Sequence, residues 1–190
     1  MMSFFRTATV LCASAVLSLA AAGCGGGGGG ESAGSGATTP EAGGGLIGQQ
    51  APEITGEAVV GDGPKTIADA SGKVVIVDFW ATYCGPCKKS FPKYQEMVAE
   101  FGGDLAVIGV SVDDPDDASA DKLKEFASET GATFAIVWDK DKATAQKYNP
   151  AKMPTSYVID KEGKVRHIHA GYENGEEQKI ADEVKALLGK

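Results

Sequence analysis

From residue 46 onward the chain alternates short, unbroken apolar runs with stretches in which apolar positions recur every three or four residues. The densest run, Lys73–Trp80, admits a single acid, Asp78, among Val74, Val75, Ile76, Val77, Phe79 and Trp80. A run of this kind predicts a strand covered on both faces, and Leu105–Val112 (LAVIGVSV) predicts a second. Thr133–Trp138, Thr155–Asp160 and Lys164–Ala170 read as further strands, the last two joined by a turn at Glu162-Gly163. Helical spacing follows Lys88 to about Phe101, where Pro92 is expected to kink the helix, and again in Ala118–Thr130 with Leu123, Phe126 and Ala127 inward. Lys142–Tyr148 and Glu176–Leu188 complete the helices. Ala51-Pro52-Glu53-Ile54 and the Gly61-Asp62-Gly63-Pro64 turn predict short strands in a hairpin-like lead-in. Strands alternating with helices and ending in a hairpin predict an α/β sandwich over 46–190.

The chain before residue 46 has a different pattern. Arg6 is the only charged residue before Glu31, and Thr7–Ala22 is apolar and small, too short and Ala-rich for a comfortable transmembrane helix. Residues 1–23 therefore read as an export signal. Leu19-Ala20-Ala21-Ala22-Gly23-Cys24 resembles a bacterial lipobox, which implies lipidation of Cys24 and a location in the cell envelope, facing the periplasm or the outside. An ordinary secretory signal with a chance cysteine is the alternative. Residues 24–45 read as a tether, since eleven of the 21 residues in Gly25–Gly45 are glycine and the rest cannot bury a core. As a flexible coil it spans roughly 25 Å.

Composition narrows the partners. With 43% hydrophobic and 23% charged residues the remainder can bury a core, and a net charge of −8 argues against nucleic acid or an anionic membrane surface. Cys12 leaves with the signal and Cys24 takes lipid, so the folded part keeps Cys84 and Cys87 alone. An exported domain with one C-x-x-C and no other cysteine uses its sulfur for chemistry.

That chemistry is legible in Val74–Pro92. The central strand passes through Ala81-Thr82-Tyr83 into Cys84-Gly85-Pro86-Cys87 and then a helix. Cys84 lands at a helix N-terminus, where unpaired N–H groups and the helix dipole favour thiolate over thiol. Cys87, one turn inside, is close enough to attack a disulfide formed on Cys84. Asp78, set among Val77, Phe79 and Trp80, should have a raised pKa; an acid satisfied by backbone at a strand end is the plainer reading.

VDFWATYCGPCKKSFP and MPTSYVID resemble the thioredoxin superfamily, specifically its exported TlpA/ResA-like thiol–disulfide branch, across Leu46–Lys190. The resemblance implies a thioredoxin-like three-layer α/β/α sandwich with a mixed central sheet and an extra helix-bearing insert around Asp113–Gly131. It implies that Cys84 is the nucleophile and Cys87 the resolving cysteine, with Asp78 taking the Cys87 proton through a water. Pro154 matches the family's cis-proline, which would set the Met153 backbone beside Cys84, against the ordinary expectation of a trans bond. Trp80, Tyr83, Gly85, Pro86 and Met153 are the implied substrate-contacting residues. Gly85-Pro86 is the family's most reducing dipeptide, accompanying about −270 mV in thioredoxin. Tyr83 replaces a common tryptophan; Ser90 and Gly85 stand where cytochrome-maturation members carry Glu, which weakens apocytochrome c as substrate.

The implied partners are protein thiols and disulfides and a membrane-embedded electron donor. No cofactor is expected beyond the redox-active Cys84–Cys87 disulfide, no metal, and no membrane contact except the lipid; a monomer is expected. A thiol peroxidase of the same fold would need an activating Thr and Arg, and a copper carrier C-x-x-x-C with a distal His. A redox-inert scaffold would not need the full motif set. His167 and His169 share one face of a strand, read here as a solvated sheet edge rather than a metal site. Asp113–Asp117 is acidic without EF-hand spacing. Lys88-Lys89 reads as solvated helix face with minor support for the Cys84 thiolate.

Overall fold

The computed structural model describes residues 44–190. The expected signal (1–23), Cys24 and all but the end of the Gly-rich stretch lie outside the described residues. Six strands form one sheet: β1 (Glu57–Val60), β2 (Val74–Trp80), β3 (Leu105–Ser111), β4 (Ala135–Trp138), β5 (Thr155–Ile159) and β6 (Val165–Ala170). Their spatial order is β1-β4-β3-β2-β5-β6, with β2, β3 and β4 parallel and β1, β5 and β6 each antiparallel to the neighbour before it in that order or nearer the centre. Four helices connect them: α1 (Cys87–Phe101), α2 (Ala120–Thr130), α3 (Ala143–Tyr148) and α4 (Glu176–Leu188). Among the described residues no helix is long and apolar enough to cross a membrane.

Residues alternate between the two faces of β2. Val74, Ile76 and Trp80 join Phe91 and Tyr94 of α1, Leu123 and Phe126 of α2, and Ile180 and Val184 of α4 in one core. Val75, Val77 and Phe79 join Tyr148 of α3, Tyr157 and Ile54 in the other. Complete burial of all seven residues of β2 explains its unbroken apolar run. α2 is the crossover between parallel β3 and β4, started by a Ser119 cap on Lys122 N–H and ended by Gly131 at φ +69°.

The lead-in differs from the expected hairpin. β1 pairs with β4, Glu57 opposite Trp138, at the far edge of the sheet, and Ala51–Ile54 forms no strand. Two glycines admit β1 to that edge: a Cβ on Gly56 or Gly61 would lie 2.6 Å from the carbonyl oxygen of Trp138 or Phe134. The chain before β1 instead follows the start of β6. Gly48 N–H donates to the Val165 carbonyl at 2.7 Å, and Val165 N–H to that of Gln49 at 2.9 Å. The fourth strand starts at Ala135 rather than Thr133, whose N–H is taken by Gln95 Oε1 at 2.8 Å. α1 continues through Pro92.

Candidate active site

The parallel strands β2, β3 and β4 end at one pole of the sheet, and the loops leaving them build the site. After Trp80 the chain turns tightly, Cys84 N–H donating to the Ala81 carbonyl at 3.0 Å, and α1 begins at Cys87. Cys84 and Cys87 form a disulfide with Cα atoms 5.3 Å apart. Cys84 keeps 7% of its surface exposed and Cys87 none. Cys87 N–H also points at Cys84 Sγ, 3.3 Å away, a donor that would stabilise charge on that sulfur.

Pairing of Phe79 with Thr155 places Pro154 one step further along, level with Trp80 as it enters the turn. The Met153–Pro154 bond is cis, and half-buried Met153 packs against the core cluster that holds both cysteines. Tyr83 is 72% exposed, and Gly85 and Pro86 are exposed, so these residues with Met153 form a rim around Cys84. Trp80 does not belong to that rim. It is fully buried, its ring 4.8 Å from Phe91 and 4.4 Å from Phe126, and so it supports the turn from beneath. Gly109 makes room for it, since a Cβ there would lie 3.1 Å from Trp80 Nε1.

Asp78 lies fully buried beneath the site. Its Oδ1 accepts from Ser156 Oγ at 2.7 Å, with Tyr94 Oη 3.3 Å away, so the partners of that oxygen are side chains rather than backbone. Burial pushes its pKa up from 3.8 to about 7, while the Ser156 and Tyr94 hydroxyls pull it back.

Asp113 is the residue that sequence reasoning missed most clearly. It stands just past β3, at 1% exposure, as the first residue of the acidic stretch Asp113–Asp117. Its carboxylate accepts from Thr82 N–H at 3.0 Å, Thr82 Oγ1 at 2.6 Å and Ser111 Oγ at 2.8 Å. Trp138 Nε1 donates to its carbonyl at 3.0 Å. One residue thus ties the turn before Cys84 to the ends of β3 and β4, its carboxylate holding Thr82 and Ser111 and its backbone carbonyl holding Trp138. Asp113→Ala leaves the Thr82 and Ser111 donors without their acceptor while keeping the carbonyl that Trp138 uses, and a loss of about 2–4 kcal/mol in urea unfolding is expected. Reduced Cys84 should also lose its selectivity over Cys87 toward a maleimide; unchanged unfolding and labelling would show that the turn holds itself.

The histidines also depart from expectation. β6 is a sheet edge, but α4 covers the face that His167 and His169 share. His169 is 5% exposed, its Nε2 2.7 Å from Glu183 and its Nδ1 3.2 Å from Glu176. His167 Nδ1 lies 3.4 Å from Glu183. Lys88, on the exposed face of α1, pairs with Glu129 of α2 at 3.0 Å.

Residues 47–168 match the model of the AhpC/TSA family. The chain belongs to that family. Within it, the chain is 34% identical to the thiol-disulfide oxidoreductase YkuV of Bacillus subtilis, over 65% of this chain and 84% of that one. It is 30% identical to the thiol-disulfide oxidoreductase ResA of Geobacillus kaustophilus, over 66% and 70% respectively. Among solved structures, a provisionally named thiol:disulfide interchange protein DsbE from Chlorobium tepidum superposes with a TM-score of 0.66 at 32% identity, covering 75% of this chain and 98% of that one. The mixed six-stranded sheet with its helices is accordingly a thioredoxin-like fold, as the C-G-P-C and M-P-T motifs implied.

Proposed function

We propose that this chain reduces protein disulfides outside the cytoplasm, held to the bacterial envelope by a lipid on Cys24. Its activity class is thiol–disulfide oxidoreductase. The observation that carries the reading is the Cys84–Cys87 pair at the start of α1, with Cys84 at the surface and Cys87 fully buried behind it.

In the reduced form, the Cys84 thiolate attacks a substrate disulfide, forming a mixed disulfide and expelling one substrate thiolate. Asp78 takes the Cys87 proton through a water. The Cys87 thiolate then attacks Cys84 Sγ, expels the second substrate thiolate and leaves the Cys84–Cys87 disulfide. An electron donor in the membrane restores the dithiol. Tyr83, Gly85, Pro86 and the Met153 backbone before cis-Pro154 receive the substrate chain.

The peroxidase alternative lacks support at the site. Arg166 is the only arginine among the described residues, and it pairs with Asp160 beyond the end of β5, at the opposite pole from the disulfide.

Equilibration against a redox buffer tests the direction. A potential near about −270 mV supports a reductant, whereas one near about −120 mV, that of a strong oxidant, would sink it. The anchor has its own test: Cys24→Ala should release the protein from membranes with its activity in vitro intact. A variant that still sediments with membranes argues against lipid on Cys24.

A further inference from the structure

The two oxygens of Asp78 have unequal surroundings. Oδ1 accepts from Ser156 Oγ at 2.7 Å, with Tyr94 Oη 3.3 Å away, and the two hydroxyls are themselves 2.6 Å apart, which closes a ring; each hydroxyl has one proton, so with Ser156 donating to Oδ1 the short contact is Tyr94 O–H donating to Ser156 Oγ. Oδ2 is buried and has no hydrogen-bond partner among the described residues. The ring draws on three separate elements: Asp78 on β2, Tyr94 on the inner face of α1, and Ser156 directly opposite Asp78 on β5. A carboxylate oxygen already held by an O–H donor, itself strengthened by the hydroxyl behind it, is a poor site for a further proton, so an arriving proton goes to the free oxygen.

We propose that Ser156 and Tyr94 are positioning residues of the exchange reaction: their paired hydroxyls hold Oδ1 of Asp78, reserve Oδ2 for the proton from Cys87, and set the pH at which Asp78 accepts it. The catalytic consequence rests on the oxidoreductase reading, but the ring itself does not. Both hydroxyls favour the ionised carboxyl and so counter the effect of burial, which leaves Asp78 at about 7. The pair therefore brings a deeply buried acid back to a range where it can both take and release a proton near neutrality.

The surroundings of the ring are charged on its outer side. Tyr94 and Ser156 line a narrow cleft with Lys93 of α1, Glu176 of α4, and Tyr172 from the segment after β6. His169 of β6 is the register partner of Ser156. Tyr94 is itself held well above its usual value, first by burial and then by the Asp78 charge, so it serves as a neutral donor.

Infrared difference spectroscopy on the oxidised full chain, following the aspartic C=O band against pH and assigned with Asp78→Asn, reads this carboxyl without any thiol chemistry. Ser156→Ala should raise the midpoint by about one unit, the size of one lost hydrogen bond to a charged group. Tyr94→Phe should raise it by less, because Tyr94 lies 3.3 Å from Oδ1 and acts on it chiefly through Ser156. Ser156→Thr, which keeps the hydroxyl, should return the parent midpoint. In single-turnover reduction of a disulfide peptide, the pH midpoint of the resolving step should move with the infrared midpoint in each variant. A parent-like infrared midpoint in Ser156→Ala overturns the ring even when exchange proceeds normally. Infrared shifts without matching kinetic shifts overturn the role in catalysis. A chain that exchanges no disulfide while the infrared shifts are present overturns the oxidoreductase reading, and with it the catalytic role, but leaves the ring in place.

Discussion

Cys87→Ser is expected to seize substrates and fail to release them. The attacking sulfur must be reachable and ionisable; Cys84 is, at the mouth of the turn, whereas Cys87 has no exposed surface. Without Cys87, release depends on an external thiol instead of one held a turn away. Well-oriented intramolecular groups act at effective concentrations of about 10⁵ M or more, so resolution by millimolar thiol should slow by as much as about 10⁸-fold. Non-reducing gels of cells carrying Cys87→Ser should therefore show substrates bound through Cys84. Cys84→Ser should trap little, since the remaining thiol is shielded. Equal trapping by both variants would overturn the assignment of the nucleophile.

Asp78→Asn is expected to stabilise the fold in a pH-dependent way while slowing the resolving step. Folded Asp78 titrates at about 7 against an ordinary 3.8. Folding thus takes up a proton between these values. The stability associated with the protonated carboxyl is full below about pH 4 and is lost as pH rises through about 7. Asparagine has no proton to lose, so the variant should gain on the parent across that window and level off above it. A shift of about three units corresponds to about 4 kcal/mol at full ionisation. Urea unfolding at a series of pH values measures this directly; a difference constant from pH 4 to 8 would show that Asp78 is not the titrating group.

How much of this was legible depended on whether each feature is encoded locally. β2 and β3 were, because strands buried on both faces carry apolar side chains at every position. α4 was also legible, being bounded by Gly175 and Gly189 at either end of its apolar spacing. The C-x-x-C turn and Met153-Pro154 are likewise contiguous. What escaped depends on register. Nothing near Ser156 says that it will face Asp78, and nothing in an acidic run distinguishes buried Asp113 from its solvated neighbours Asp114 and Asp116. Tyr94 gave a partial signal: it falls on the apolar face of α1 with Phe91 and Met97, where a hydroxyl needs a partner. The fate of β1 was set by β4, distant in sequence, and that of His169 by how the next element, α4, folds back over β6.

The hydrogen bonds that lay Gly48 and Gln49 along the start of β6 also set where the chain enters the domain relative to the site. Gly48 and Gln49 bond to Val165, whereas Ala170 at the other end of β6 pairs with Thr155, next to Pro154 and the disulfide. The strand between them rises about 17 Å at roughly 3.3 Å per residue. Residue 44 therefore enters the domain near the pole opposite the rim of Tyr83, Gly85 and Pro86. Soluble proteins can approach that rim unobstructed. A protein disulfide thus reaches Cys84 from the side of the domain away from residue 44, without having to pass the segment that joins it.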